Sequence, residues 1–390
     1  MFAMKKYRGV TLIELMIALV ISTIVLLGVA TVYSSTKRSY KVQEEMGRLQ
    51  ENARYAFNIM ARDIRGAGYV GCNPTLNNLL EDDPDFPSPL GDFQAGIDGW
   101  EYTSSGTAPG NAYTITSVTA TGAVGDWTGV NWPAGTDLAG VLADNVIQGT
   151  DVLVTKSVQP VTDGAGAYLV QQGTNNPNAT SITFNTETGI EKGQILIFGN
   201  CNRGDVFQNG SGPNANNVNR NSGVGGLAPG NVNPASVQWS QNCTACQISE
   251  AQGIVYFIGR GASGEPALFR YNYSLGIAGA VFEELVEGIE SMQLLFGEDL
   301  NTADKDIQPT QYVTANNITD PDNVVSVRIS LLVRTPAELN RPQVANTYRL
   351  LGVDNNTGVD ITTQNDRRVR KVFTTTIFMR NKGVTRVRGS

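Results

Sequence analysis

An apolar run near the start of the chain is the first pattern in the sequence. Residues 10–33 read VTLIELMIALVISTIVLLGVATVY, in which Glu14 is the only charged residue. As a helix the run would be roughly 36 Å long at 1.5 Å per residue, which is enough to span a bilayer. Because no small-residue cleavage site follows it, as it would in a signal peptide, we predict a retained transmembrane helix.

The helical pattern continues beyond the apolar run. Apolar residues recur at three- and four-residue steps and form one stripe, with charged residues on the other faces. The stripe consists of Val42, Met46, Leu49, Ala53, Phe57, Met60 and Ile64. RGAGYVGC at 65–72 ends the helix with three glycines. A helix over 10–65 would be roughly 84 Å long, so we expect residues 10–33 to project and 34–66 to pack on a sheet. A coiled coil is the alternative.

Short β-like runs follow, separated by residues that favour turns, and they predict an all-β region after the helix. The runs are NAYTITSV (111–118), DVLVTKSV (151–158), TSITFN (180–185), GQILIFG (193–199), NVVSVRISLLVRT (323–335) and RRVRKVFTTTIFMRN (367–381). Residues 253–271 predict a hairpin, and residues 281–299 a short helix followed by a strand. The Asn- and Gly-rich segment 202–234 is typical of a long flexible loop.

Composition and charge narrow the function classes. The net charge is −7 and no Lys/Arg cluster is interleaved with aromatic residues, which argues against a nucleic-acid partner. The absence of histidine excludes His-assisted serine or cysteine catalysis and HExxH metallopeptidases. The acidic segments 299–306 and 354–360 do not fit the EF-hand pattern and are interpreted as solvated loops. We therefore predict no enzyme activity, no cofactor and no metal site.

The position of Glu14 in the apolar run requires an explanation, because an ionised carboxylate in a membrane helix costs free energy unless a cation neutralises it. No Lys or Arg lies one helical turn away within the run. If the chain were cut after Gly9, Val10 would carry an α-ammonium group at that depth. The partner of Glu14 could be the ammonium of its own chain or that of a neighbouring subunit. The alternative is an acid that is tolerated near the membrane surface.

The sequence KKYRGVTLIELMIALVI around this acid resembles the type III signal of type IV pilins and of type II secretion pseudopilins. In those families a membrane aspartyl peptidase, the prepilin peptidase, cuts after the glycine and methylates the new N-terminus. The resemblance implies that Gly9 is the cleavage position, Val10 the methylated N-terminus and Glu14 the assembly acid. Two departures are Val10, where phenylalanine is usual, and the absence of a proline before Pro74.

A second set of segments is similar to PilW-type minor pilins and, less closely, to J-type minor pseudopilins. The segments are ARDIRGAGYVGC (61–72), VYFIGR (255–260), PALFRY (266–271), ELVEGIESMQLLFGED (284–299), VRISLLVRT (327–335) and VFTTTIFMRN (372–381). The resemblance implies an α+β type IV pilin fold, in which a long N-terminal helix packs on an antiparallel β-sheet head with a large β-rich insertion. The implied division is a leader at 1–9, a transmembrane and filament-core segment at 10–33, an amphipathic segment at 34–66, and a head at 67–390 with a loop-rich insertion at about 85–250 and a pilin-like sheet at 253–381.

The function implied by the resemblance is structural. A minor pilin cut after Gly9 would join a type IV pilus and help to initiate assembly in a tip complex. Its partners would be other minor pilins, the major pilin, a PilY-type tip adhesin, the prepilin peptidase and inner-membrane lipid. The head would lie in the periplasm before assembly and on the cell-surface pilus afterwards. The alternatives are a J-like pseudopilin of a type II secretion system and a pilus-borne adhesin.

The four cysteines all lie on the C-terminal side of the apolar run, at Cys72, Cys201, Cys243 and Cys246. In an oxidising periplasm an even number of thiols predicts two disulfides. We favour Cys243–Cys246 and Cys72–Cys201, with Cys201 paired to Cys243 or Cys246 as the alternative. A thioredoxin-like CxxC site and a zinc site are less favoured interpretations.

Overall fold

The computed structural model consists of one long helix followed by a β-rich head. It describes residues 9–382 except 72–74, 82–92, 94, 104–111, 118–119, 124, 130–143, 164, 170, 173–175, 223, 225, 228, 241–245, 276–280, 302–306 and 352–357.

The helix, α1, extends from Leu12 to Gly66 without a break, and this confirms the predicted single long helix. Its start is set by a capping box at Thr11. The Thr11 hydroxyl accepts a hydrogen bond from the Glu14 amide at 3.3 Å, and the Glu14 carboxylate accepts one from the Thr11 amide at 2.9 Å. Its end coincides with the first glycine of the glycine-rich stretch that was expected to terminate it.

The regular structure of the head consists mainly of strands. Within the described residues they are β1 (Leu76–Asn78), β2 (Ile97–Tyr102), β3 (Ala112–Thr114), β4 (Trp127–Thr128), β5 (Val152–Pro160), β6 (Ser181–Thr183), β7 (Ile195–Gly199), β8 (Gly204–Gln208), β9 (Asn217–Asn219), β10 (Gln247–Arg260), β11 (Pro266–Asn272), β12 (Phe282–Glu287), β13 (Ile289–Glu298), β14 (Gln311–Val313), β15 (Val324–Arg334), β16 (Thr347–Leu350), β17 (Val359–Thr362) and β18 (Arg370–Phe378).

The largest sheet is built around β10. Its nine strands follow the order β1-β8-β7-β10-β5-β2-β4, with β11 and β12 added beside β10. On one side β10 pairs with β5 over residues 249–256. On the other side it pairs with β7 over 247–250 and with β11 over 254–260. All three pairings are antiparallel, and the β10–β11 pair confirms the hairpin predicted at 253–271.

Residues 281–299 form two strands, so the prediction of a short helix in this segment is wrong. β12 pairs antiparallel with β11, and Gly288 separates β12 from β13. The φ angle of Gly288 is +86°, a conformation that strains other residues and permits the sharp change of direction. The Glu-rich sequence of β12, FEELVE, has helical propensity. Pairing with a separate strand outweighs that preference, which is worth only tenths of a kcal/mol per residue (about 0.2–0.7).

The C-terminal part of α1 packs on a second sheet, whose strand order is β14-β13-β15-β18. β13 and β15 are buried along almost their whole length and form one core with the helix. The helix residues in this core are Leu49, Ala53, Ala56, Met60, Ala61 and Ile64. The predicted α+β fold is confirmed. The head is not purely antiparallel, however, because β1 pairs with β8 and β3 with β17 in parallel.

The Asn- and Gly-rich segment 202–234 contains β8, β9 and several buried amide side chains, so the prediction of a flexible loop is wrong. Asn231 Oδ1 accepts a hydrogen bond from the Gln208 amide at 2.7 Å, and its Nδ2 donates to the Gln208 carbonyl at 2.8 Å. Asn209 Nδ2 donates to the Ser211 carbonyl at 2.9 Å. These side-chain bonds satisfy backbone groups in a segment that has few apolar residues.

Candidate assembly site

The N-terminal part of α1 projects from the head with its apolar surface exposed. Residues 12–44 are all exposed, and burial against the head begins at Glu45. At 1.5 Å per residue the projecting part is roughly 50 Å long. Leu12 is 79% exposed, whereas Leu49 is 0% exposed. By length and composition α1 is able to cross a membrane, and its most apolar window has no part buried in the head.

Glu14 lies in the first turn of α1, where the N-cap residue fixes its carboxylate. Glu14 Oε2 accepts hydrogen bonds from the Thr11 amide at 2.9 Å and from Thr11 Oγ1 at 3.0 Å. A carboxylate in this turn also interacts favourably with the positive end of the helix dipole. In the described part of the chain Oε1 of Glu14 has no hydrogen bond. This oxygen is therefore available to a cation.

Gly9 and Val10 precede the helix in exposed, non-helical backbone. Among the described residues, and apart from its chain neighbours, no heavy atom lies within 4 Å of the position that a Cβ on Gly9 would occupy. The structure places Gly9, Val10 and Glu14 together at one end of α1, and their roles in cleavage, methylation and assembly stay predictions.

Thr11 is a site residue that the sequence reasoning missed. It is the N-cap of α1 and supplies both groups that bond to Glu14 Oε2. The signal was present in the sequence, because TLIE over 11–14 matches the capping-box pattern of Ser or Thr followed three residues later by Glu. Glu14 consequently has a local structural role as well as the assembly role that the resemblance implied.

The cysteines lie in the head. Cys201 and Cys246 are each disulfide-bonded. Cys72 and Cys243 lie outside the described residues, so the pairing Cys243–Cys246 and Cys72–Cys201 stays a prediction. No described cysteine is free.

Buried charges neutralise one another where β13, β15 and β18 meet. Glu290 accepts hydrogen bonds from Arg370 Nε at 2.6 Å and from Arg334 Nη1 at 2.8 Å, and all three side chains are almost fully buried. Burial raises the pKa of Glu290, and the hydrogen bond and charge of Arg370 oppose that rise. Burial, with the charges of Arg368 and Arg370, lowers the pKa of Arg334 to about 9. This cluster ties three strands of the second sheet together.

A second buried pair, Glu101 and Asp151, lies at the junction of the two large sheets. Asp151 accepts hydrogen bonds from the Tyr102 amide of β2 at 3.2 Å and from the Leu294 amide of β13 at 2.8 Å. Burial raises the pKa of Asp151 to about 7. Burial and the charge of Asp151 raise the pKa of Glu101 well above its usual value. Among the described residues Glu101 Oε2 has no hydrogen-bond partner.

Within the described residues, no group of three or more Cys, Asp or Glu side chains is placed to hold a metal ion. The acidic segments at 299–306 and 354–360 fall mostly outside those residues, so their interpretation as solvated loops stays a prediction.

The long helix and the head together define the class of protein. A 55-residue helix with a projecting apolar half, an acid in its first turn and an α+β head has the architecture of a type IV pilin-like protein. Residues 255–381 match the family model of Type IV Pilus-assembly protein W, and residues 4–30 match the prokaryotic N-terminal methylation motif. Over these two regions the chain is similar to the PilW family of type IV pilus assembly proteins and carries a prepilin-type N-terminus. No curated protein and no solved structure gives a significant match.

The two matches cover different parts of the molecule. The methylation motif covers the start of α1, and the family match begins within β10 and ends just after β18. The motif and the apolar helix are those of a membrane-anchored prepilin that is assembled into a pilus. The family is one of structural pilins and is not an enzyme family. Residues 31–254, which contain the insertion, lie outside both matches.

Proposed function

We propose that this chain is a minor pilin that is cleaved after Gly9, enters a type IV pilus and helps to initiate assembly in a tip complex. The observation that carries the proposal is the exposed apolar half of α1, with Glu14 held at its start. An apolar surface of this extent is unstable in water, and it is stable in lipid or in a bundle of similar helices. Both environments occur in turn during pilus assembly.

Cleavage after Gly9 creates an α-ammonium group on Val10, at the same end of α1 as the carboxylate of Glu14. In an apolar bundle, which has a low dielectric constant, an unpaired carboxylate is costly and its attraction to an ammonium is strong. The free Oε1 atom of Glu14 supplies the acceptor while Oε2 keeps the helix capped. An ion pair with the Val10 of a neighbouring subunit would form at one axial offset only. The pair would therefore set the register between adjacent subunits.

The head then determines which partners the subunit has. We propose that the head contacts other minor pilins, the major pilin and a PilY-type adhesin. Before assembly the apolar part of α1 would be embedded in inner-membrane lipid. Processing requires the prepilin peptidase. The buried carboxylate of Glu290 is neutralised within the head by Arg370, and this pairing fits a structural role.

Four variants test the role of Glu14. Glu14→Ala removes both its charge and its capping bond, whereas Glu14→Gln removes the charge and keeps an acceptor for the Thr11 amide. Thr11→Val removes the hydroxyl of the cap and keeps the charge. Glu51→Ala removes an exposed acid from the same helix and serves as the control. The assays are mass spectrometry of the mature N-terminus and detection of the subunit in sheared pili.

We expect each variant to begin at methylated Val10, since the glycine and the basic leader are unchanged. Glu14→Ala and Glu14→Gln should both be absent from pili, and Thr11→Val and Glu51→Ala should be incorporated. Normal incorporation of Glu14→Gln would contradict the proposed ion pair. A native protein that keeps its first nine residues would contradict the whole proposal. Recovery in a type II secretion complex and not in pili would favour the J-like alternative.

Deletion of the whole insertion is not a suitable test of the adhesin alternative. β5 and β7 lie within the insertion and pair with β10, so their deletion would remove the partner of residues 249–256 on one edge and of residues 247–250 on the other, and would destabilise the head. Substitutions confined to exposed side chains of the insertion avoid this problem. Lost attachment with normal filaments would support an adhesin.

A further inference from the structure

We propose that α1 and the head together form a binding site for the phosphate headgroup of an anionic phospholipid. The site is a cavity of about 280 Å³ between α1 and the loop that follows β15. The lining residues are Ser34, Lys37, Arg38, Lys41 and Val42 of the helix, and Leu339 and Asn340 of the loop. The inference rests on the proposed insertion of α1 into a membrane.

The cations of this cavity share one face of the helix. Residues 34, 37, 38, 41 and 42 follow steps of three and four, so they form a single stripe. The same stripe continues through Glu45 and Leu49, which are buried against the head. All Lys and Arg residues between positions 34 and 44 lie on this stripe. The face of α1 that turns towards the head therefore changes from apolar to cationic where the head ends.

Among the described residues, no acidic side chain forms an ion pair with these cations. Glu44 is paired with Arg48 at 2.9 Å, one turn further along α1. Glu45 is buried one turn below the cavity, and Glu338 is exposed in the loop without lining the cavity. Lys37, Arg38 and Lys41 thus give the cavity an excess of positive charge. We therefore expect it to bind an anion of matching size.

The position of the cavity along α1 matches the depth of lipid phosphates. The apolar run ends at Tyr33, and Lys37 to Lys41 lie four to eight residues beyond it. At 1.5 Å per residue this is roughly 6–12 Å past the end of the apolar run. The headgroup layer on each side of a bilayer is roughly 5–8 Å thick, so the backbone of these residues lies at or just beyond its outer boundary. Side chains on a helix lean towards its N-terminus, so these long cations can extend back to the phosphates. Tyr33 and Tyr40 flank the cations on the exposed helix, each 69% exposed, and tyrosine is enriched at this interface.

The chemistry of the lining suits a phosphodiester that carries a polar headgroup. The guanidinium of Arg38 can donate two parallel hydrogen bonds to a phosphate, and the two lysines add compact charges. Ser34 and Asn340 supply uncharged donors for a hydroxylated headgroup. Val42 and Leu339 supply apolar contact for the glycerol carbons. A cationic pocket at the membrane surface is a known form of anionic-lipid recognition.

Native mass spectrometry of the full-length protein, released from bilayers that contain equal phosphatidylglycerol and phosphatidylcholine, tests the inference. The variant K37Q/R38Q/K41Q removes the cations of the cavity. The control R54Q/R62Q/K192Q removes the same number of cations from exposed positions away from the cavity and leaves the Glu44–Arg48 pair intact. We expect the wild type and the control to retain phosphatidylglycerol in preference to phosphatidylcholine. The cavity variant should lose this preference by about fivefold for each cation removed.

Several results would overturn the inference. One is a wild-type protein that enters bilayers but shows no preference for the anionic lipid. This result would contradict the lipid site and would not contradict the proposed membrane insertion. A second is release of the bound lipid by excess inorganic phosphate, which would make the ligand a free anion. A third is a cavity variant that keeps its lipid preference but is lost from pili, which would assign the cations to a carboxylate of a neighbouring subunit. A protein that enters neither neutral nor anionic bilayers would overturn both the membrane anchoring and the lipid site.

Discussion

Replacement of Glu101 by glutamine should stabilise the head at neutral pH and leave its stability at acidic pH unchanged. Glu101 is 4% exposed in β2, and among the described residues its Oε2 atom has no hydrogen-bond partner. Burial, followed by the charge of Asp151, raises the pKa of Glu101 well above its ordinary 4.5. Glutamine keeps the shape and one acceptor oxygen of the side chain, and it carries no charge at any pH.

The size of the effect follows from the linkage between protonation and folding. Above pH 4.5 the unfolded chain releases the proton of Glu101, whereas the folded head must either keep the proton or bury the charge. The penalty grows by about 1.4 kcal/mol for each pH unit until the folded carboxyl ionises. At pH 7 it is therefore at most about 3.5 kcal/mol. The penalty is absent below pH 4.5, where the side chain is protonated in both states.

Urea unfolding of the detergent-solubilised protein, followed by tryptophan fluorescence, measures this difference. Trp100 and Trp127 are buried in the same part of the head and report on it. We expect Glu101→Gln to raise the free energy of unfolding by about 1–3 kcal/mol at pH 7 and by about zero at pH 4. The control, Glu187→Gln at an exposed position, should change neither value. A gain of equal size at both pH values, or a loss at pH 7, would refute the reasoning.

Two further substitutions test the core and the buried charges. Met60→Ala removes a fully buried side chain between α1 and the second sheet and should lower the free energy of unfolding by about 2–5 kcal/mol. Its control, Arg54→Ala on the exposed face of α1, should change the free energy of unfolding by less than about 0.5 kcal/mol. Glu290→Gln removes the buried charge that Arg334 and Arg370 share, although Arg334 keeps Glu265 and Arg370 keeps Asp366, and it should cost about 1.5–3 kcal/mol. Glu283→Gln, in the more exposed pair with Arg270, should cost less than about 1 kcal/mol. Similar losses in both members of either comparison would count against these assignments.

The long helix could be predicted from sequence because its signals are local. The apolar run, the three- and four-residue stripe and the lack of a proline before Pro74 all act within a few turns of chain. The predicted hairpin at 253–271 also depends on neighbouring residues only. The helix predicted within 281–299 was wrong because the partner of β12 is β11, and such pairing is not encoded by the segment itself.

The Asn- and Gly-rich segment 202–234 shows a second limit of sequence patterns. Its composition resembles that of flexible loops, yet its structure depends on specific amide bonds such as those between Asn231 and Gln208. These bonds join residues more than twenty positions apart (|i−j| of 23), so no local period reveals them. The residues of the candidate site were found in another way. Gly9, Val10 and Glu14 were found through a motif, whereas the capping role of Thr11 was readable from TLIE and was overlooked.

The shared strand β10 has a mechanical consequence. Eight residue pairs join it to β5 of the insertion, and it continues without a break into the region of the family match. The insertion therefore cannot swing as a tethered module. The surface of the insertion therefore keeps a constant orientation relative to the long axis of α1. A force applied to that surface is distributed over many hydrogen bonds and not over one connecting peptide.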